Sequence, residues 1–312
     1  MRRTLGVFLL MGISLLVPQA VSGQQAASIP TVASVSTLTM QDTIRSWGRL
    51  GGMAIDRLGF LYISSFGESV WRVTPDGVVT RLADDIYGAS GMTIGTDGAL
   101  YQASFFDNTI RRIARDGSQT VWATGLRGPV GVVPRGDGTL FVVNCGDNSV
   151  SMIAPDGTES TISRSDLFAC PNGIALVGED LYVVNFSNNN FVKVDSEGNA
   201  SLFTTIGESE GRAAGHGHIA VVGDHFFVTT VKTSSLWRVS MDGAVTQMLG
   251  PSQPANADGP PAEARISNPN AIVAAPGRLG PLFLNTIEAG QWGTTKPTHL
   301  SIRRIVLEPE GD

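Results

Sequence analysis

Charge is scarce in this chain. Only 16% of its 312 residues are charged, against 42% hydrophobic, which excludes a disordered chain and a coiled coil alike. Basic residues are outnumbered: 22 Lys and Arg stand against 28 Asp and Glu, for a formal net charge of -6, so a nucleic-acid partner has no electrostatic support. Long apolar runs are absent too, except near the start. There, Arg2 and Arg3 precede an uncharged apolar run over residues 5–17, and Val21-Ser22-Gly23 offers small residues where a signal peptidase cuts. That run is too short for a membrane span and reads as an export signal. With no Cys beside the cleavage site, a lipid anchor is not indicated. Residues 1–23 are therefore expected to be removed, leaving an exported protein, periplasmic or extracellular, without membrane insertion. Cysteine is nearly missing, with only Cys145 and Cys170, and export puts both where a disulfide can persist.

Glycine, by contrast, is abundant. The 37 glycines are about 12% of the chain, against roughly 7% in ordinary proteins, and many stand in Asp-Gly pairs that mark tight turns and an all-β chain. Three signals recur in register. An apolar segment opens after Gly at Gly52-Met53-Ala54-Ile55, Gly91-Met92-Thr93-Ile94, Gly131-Val132-Val133, Gly173-Ile174-Ala175-Leu176 and Gly217-His218-Ile219, with Ala271-Ile272-Val273 as the sixth. An apolar pair follows, as in Leu61-Tyr62 and Leu181-Tyr182. A β segment then runs into a turn, as in Val70-Trp71-Arg72-Val73 before Asp76-Gly77. The openers recur about every 40 residues, the period of a four-stranded propeller blade. Six copies imply a six-bladed β-propeller over residues 50–307, with 308–312 as a tail. A sheet this thin buries its faces only against its neighbours. The sixth copy stops at its third strand, Ile302-Arg303-Arg304-Ile305. Residues 35–40, within the N-terminal segment 24–49, are expected to supply the missing outer strand and remove an open edge.

Asp258-Gly259-Pro260-Pro261-Ala262-Glu263-Ala264-Arg265-Ile266, then Asn268-Pro269-Asn270-Ala271-Ile272, resembles the stretch that leads into an NHL repeat. Asn108-Thr109-Ile110-Arg111-Arg112-Ile113 resembles its third strand. The resemblance implies the same six-bladed fold. It is weak for chemistry, because NHL-type propellers include binding scaffolds, hydrolases and lyases.

With this strand order, the links between blades and the loops between second and third strands share one face, called the top. The longest insertions, residues 204–215, 250–268 and 287–297, all fall there and would wall one side of the channel mouth. The residues just before each opener, Gly51, Ser90, Val130, Asn172, His216 and Asn270, should approach the channel. The ends of the second strands, Ser65, Ser104, Asn144, Asn185, Thr230 and Thr286, form a second ring that is small and polar. Such groups suit hydrogen bonding to a ligand, or a plain water-filled channel. His216 and His218, two apart in an extended segment, should point to one side. His-x-His is a metal-ligand spacing, and a neutral imidazole is the natural general base near neutral pH. His299 ends the blade-six insertion and is a candidate third metal ligand, while Glu288 is a candidate proton shuttle or substrate contact. His225 reads as a surface residue of a bottom turn. Cys145 and Cys170 fall on adjacent blades at the top, which favours a disulfide beside Asn172.

Pro171-Asn172-Gly173-Ile174 is similar to the channel-facing Asn segment of the SMP-30/gluconolactonase group. That resemblance implies an enzyme whose calcium or zinc ion is held by a Glu, an Asn and an Asp, the Asp also serving as general base for lactone hydrolysis. The Asn carries over as Asn172. His216 stands at the Asp position, and no acid occupies the stretch around Leu50 and Gly51, a loss of ligand charge that counts against a hard cation. His216-Gly217 resembles the channel histidines of propeller lyases, such as streptogramin lyases and peptidylglycine amidating lyases, which implies a His that binds metal or acts as base. The first function carried forward is an enzyme on a small carbonyl- or lactone-bearing substrate, hydrolase or lyase. His216 or His218 would be its base or ligand, Asn172 and Asn270 would orient the substrate, and one divalent ion, calcium or zinc, would be its cofactor. The second is a non-catalytic scaffold that takes a protein, peptide or glycan on top-face aromatics, for which Phe66, Phe105, Phe106, Phe186 and Trp292 are candidates. The chain is read as a monomer.

Overall fold

Four strands per repeat is what the structure shows. The computed structural model describes residues 29–44, 50–207, 212–251, 255–288, 293 and 298–310; the expected signal peptide and Trp292 lie outside them. Six four-stranded antiparallel sheets form a ring. In the fourth, for example, Pro171–Val177 is innermost, followed outward by Asp180–Asn185, Asn190–Val194 and Ala200–Thr205. The innermost strands of successive blades touch all the way round, including the first against the sixth. The chain is a six-bladed β-propeller. No helix occurs among the described residues, and none is long and apolar enough to cross a membrane.

The hydrophobic effect acts between blades rather than within them. Tyr101, Ala103 and Ile110 of blade two pack with Val132, Leu140 and Val142 of blade three in one buried cluster, and the other clusters likewise join neighbours. The outer Asp-Gly and Glu-Gly turns extend this contact. A Cβ on Gly117, Gly157 or Gly198 would lie 2.2, 2.4 or 2.2 Å from the carbonyl oxygen of Leu82, Trp122 or Ile162 on the preceding blade. All three glycines also have positive φ, so turn geometry and close approach both demand glycine. Gly77 of blade one makes the matching approach, 3.0 Å, to the oxygen of Leu38. Leu38 belongs to Pro30–Ile44, the outermost strand of the sixth sheet, which pairs antiparallel with Thr298–Pro309 in a register of Val35 with Ile305.

The link over residues 255–268 corrects one expectation. Ala264 and Ile266 are wedged in the core between blades five and six, so this stretch does not wall the channel mouth. Arg303, with no exposed surface, holds it there. Its guanidinium donates to Asn256 Oδ1 at 2.9 Å, Ala257 O at 2.7 Å, Arg265 O at 3.0 Å and Asp258 Oδ1 at 2.6 Å. Asp258 in turn accepts from Thr37 N at 3.0 Å and Thr37 Oγ1 at 2.9 Å. His225 is a second correction: it is buried, 6% exposed, with the Asp224 carboxylate 2.8 Å from its Nδ1.

Candidate active site

Strand register decides which side chains reach the axis. Opposite Ile63, Gln102, Val142, Val183, Val228 and Leu284 on the second strands stand Met53, Met92, Val132, Ile174, Ile219 and Ile272 on the innermost ones. The residue before each forms the neck of the channel: Gly52, Gly91, Gly131, Gly173, His218 and Ala271. One step nearer the top come Gly51, Ser90, Val130, Asn172, Gly217 and Asn270. Blade five is therefore one residue out of the expected register. Gly217 stands where His216 was expected, and His218 takes the neck position filled by Gly or Ala elsewhere. Inter-blade hydrogen bonds agree, since His218 N donates to Asn270 O at 2.8 Å as Gly52 N donates to Ser90 O at 2.7 Å.

The neck glycines are there because backbone passes backbone. A Cβ on Gly91, Gly131 or Gly173 would come within 2.2, 2.5 or 2.7 Å of Val130 O, Asn172 O or Gly217 O of the next blade. In blade five that approach falls on Gly217, whose Cβ would lie 2.2 Å from Asn270 O, and position 218 is released to carry a side chain. The bulge between the His216–Thr230 and Ile219–Val228 pairs has counterparts at the same place in blades two, three and four. The His218 ring crosses towards blade two, diametrically opposite, where a Cβ on Gly91 would lie 2.9 Å from its Cε1.

The same bulge separates the two histidines, contrary to the expectation that they share a side. His216 is fully buried, with its Nε2 2.9 Å from Ile206 O at the start of the link into blade five. Burial pushes its pKa down to about 4, although the Ile206 carbonyl pulls the other way. His218 keeps partial exposure, but its Nε2 is buried without a partner. Burial alone pushes its pKa down to about 4, with no charged group acting on it. Both rings are neutral at physiological pH. A bare buried acceptor is more tolerable than a bare buried N–H, which favours the His218 tautomer with Nε2 unprotonated.

Asn172 and Asn270 meet above His218, over the space that Gly217 leaves. Asn172 Nδ2 donates to His216 O at 2.7 Å and lies 3.5 Å from Asn270 Oδ1. Asn270 Nδ2 donates to Leu50 O at 2.7 Å and Gly51 O at 3.1 Å, across to blade one.

The second polar ring has a different job from the one expected. Asn144 Oδ1 accepts from Arg127 N at 3.2 Å, and its Nδ2 donates to Ser149 and Ser151 hydroxyls at 3.1 and 2.9 Å. Asn185 Oδ1 accepts from Ala169 N at 3.1 Å, and its Nδ2 donates to Leu167 O at 3.0 Å. The Thr230 hydroxyl lies 2.7 Å from that of Thr233 and accepts from Trp237 Nε1 at 3.2 Å. These atoms brace links and loops of their own blades, because burial requires them to be paired locally.

The proposed three-histidine metal set is not assembled. His299 Nδ1 lies 3.5 Å from Glu288 Oε1 with both side chains substantially exposed. Among the described residues no three His, Cys, Asp or Glu side chains gather as a metal site. The groups at the axis are one imidazole and two uncharged amides, whose Nδ2 atoms donate to carbonyls. They do not fit the hard, carboxylate-rich site implied for calcium, nor the three protein ligands of a catalytic zinc.

On the top face Cys145 and Cys170 form a disulfide, Cα atoms 3.9 Å apart, two residues before Asn172. Cys170 has φ of 50° at a link position held elsewhere by Gly88, Gly128 and Gly215, and the bridge is the one expected from the register of adjacent blades. Over blades one and two, Phe66, Phe105 and Phe106 form a cluster with centroids 5.2 to 5.8 Å apart, beside exposed Tyr87. A cavity of about 30 Å³ between blades one and two, lined by Asp56, Tyr62 and Arg115 among others, is water-sized and built from different residues.

Comparison with known proteins bears on the fold. No family model and no curated protein matches the sequence. Among solved structures, virginiamycin B lyase from Staphylococcus aureus is 19% identical, covers 89% of this chain and 89% of its own, and superposes with a TM-score of 0.61. A gluconolactonase from Xanthomonas campestris is 15% identical over 91% of this chain and 99% of its own, TM-score 0.67. An auxiliary nutrient binding protein from Bacteroides thetaiotaomicron is 13% identical over 90% of this chain and 77% of its own, TM-score 0.69. Lactonase and lyase propellers are thus structural neighbours, and at these identities the likeness is one of fold.

Proposed function

We propose that this chain is an exported propeller enzyme acting on a small, neutral carbonyl- or lactone-bearing substrate, as hydrolase or lyase, with His218 as proton acceptor at the axis. One observation carries the reading: His218 is the sole functional side chain in a neck otherwise made of Gly and Ala, and its Nε2 has no partner. A depressed pKa makes the resting ring a weak base. It gains a proton most readily when the substrate becomes anionic beside it, which is stabilisation specific to the transition state. Asn172 and Asn270 would orient the substrate above the ring. No step runs through a metal, because the donors present do not suit one. The Cys145–Cys170 disulfide fits an oxidising compartment, periplasmic or extracellular.

The test is turnover of a panel of lactones and cyclic esters by the purified protein, with and without chelator. His218→Gln should lower kcat/KM by about 10²- to 10⁴-fold, the usual worth of a general base, while His216→Gln keeps most of it and chelator changes little. Equal activity in His218→Gln would sink the assignment. A binding scaffold is favoured by one specific observation, the exposed Tyr87 and Phe106 beside the phenylalanine cluster. That reading would prevail if no compound turns over and a glycan or peptide shifts the melt of wild type and His218→Gln alike.

A further inference from the structure

Two positions depart from the sixfold pattern around the axis, and they lie on opposite blades. One is His218. The other is Gln102, whose counterparts on the second strands are Ile63, Val142, Val183, Val228 and Leu284, all aliphatic and all buried. Gln102 has no exposed surface either. An amide in such a place lowers stability unless its hydrogen bonds are met, so blade two carries a polar group where an aliphatic one serves five times.

What the amide touches gives the reason. Gln102 Nε2 lies 2.9 Å from Ser90 O, 3.0 Å from Gly91 O and 2.9 Å from Ala103 O, three acceptors sharing its two protons. Ser90 and Gly91 are the two residues at and above the neck in blade two, and Gly91 is the residue against which the His218 ring lies. Ser90 O is held from blade one as well, by Gly52 N at 2.7 Å and Ser64 Oγ at 2.6 Å. For Gly91 O the described side-chain donor is Gln102. Both departures therefore converge on Gly91, and each retains an unpartnered buried atom, Nε2 of His218 and Oε1 of Gln102.

We propose that Gln102 is a positioning residue for His218: it fixes the carbonyls of Ser90 and Gly91 from behind and so sets the seat on which the imidazole rests at the axis. The catalytic consequence rests on His218 being the proton acceptor, whereas the seat itself does not. Without the amide, Gly91 O loses its side-chain donor and the residue against which the ring lies is no longer held from behind. The burial that depresses the His218 pKa is then relaxed, which favours the protonated ring.

The experiment is a histidine NMR titration of the folded full chain, wild type against Gln102→Leu, which copies Leu284, and Gln102→Met, which keeps the length without the amide. Thermal melts run alongside, and the methionine variant carries the reading if the leucine variant does not fold. Both variants should melt near wild type, while the His218 midpoint rises by about one unit or more and that of His216 stays put. An unmoved His218 resonance and midpoint in a folded variant would overturn the proposal, as would His216 moving as far as His218, which marks general loosening. The readout needs no substrate, so a failed turnover assay leaves it intact. If turnover is found, the leucine variant should lose kcat with KM little changed.

Discussion

Lowering the pH from 7.5 to 5 should weaken this protein through its buried histidines, and His216 allows the size to be worked out. Its ordinary pKa is 6.5 and its folded value about 4. Above pH 6.5 the ring is neutral in both folded and unfolded chains, and the stability it permits is fully present. Below 6.5 the unfolded chain takes up a proton that the folded chain refuses until about 4, so stability falls as pH falls through that window. At pH 5 the loss is about 2 kcal/mol from His216 by linkage, and His218 adds a smaller amount because it keeps partial exposure. That is a sizeable share of a typical 5–15 kcal/mol total, and roughly 4–8 °C in Tm for a domain of this size. Carboxylates with lowered pKa, such as Asp84 and Asp97, lose their contribution only as pH falls below their ordinary 3.8, outside the window. Urea midpoints at pH 7.5, 6.5, 5.5 and 5.0, for wild type and His216→Gln, measure the effect. The variant starts from its own stability, and the slope is what matters: it should be clearly shallower than that of wild type. A flat wild-type profile, or parallel profiles, refutes the reasoning.

Two further outcomes are expected. Gly91→Ala places a methyl 2.2 Å from Val130 O and should cost about 1–3 kcal/mol as an overpacked site, while Gly136→Ala, with nothing within 4 Å of the new Cβ, should stay within about 0.5 kcal/mol; equal melting temperatures would contradict the neck geometry. Denatured, unreduced protein should show no free thiol, and reduction of the bridge, which spans a sequence separation of 25, should cost about 3 kcal/mol; two titratable thiols would remove the bridge.

The blades were legible because each repeats the same physical needs: a Gly where backbone passes backbone, a pair to bury, an Asp-Gly turn. The site was harder. In His216-Gly217-His218 the glycine looks like the opener, yet Ile219-Ala220-Val221 matches Ile174-Ala175-Leu176, and aligning on those places His218 at the neck. The one-residue shift comes from where the neighbouring carbonyl approaches, a tertiary fact that spacing does not carry. Asn144 and Asn185 are ambiguous in sequence for a related reason: a polar strand end facing a link looks like one facing a cavity until its partners are known. Gln102 stood in plain view as a lone polar residue at an aliphatic position, and pairing blade with blade is what exposes it.

The strand Pro30–Ile44 lies at one end of the described chain and its partner Thr298–Pro309 at the other. The earlier strand must therefore wait for the later one. Until residues near 300 arrive, the early strand has no ladder to join, and the Leu38 carbonyl against which Gly77 seats is not in place. Five sheets can be built as they emerge, but the circle is fastened in a single late step that joins two strands far apart in sequence, and losing the early strand would leave an unzipped seam open to other chains.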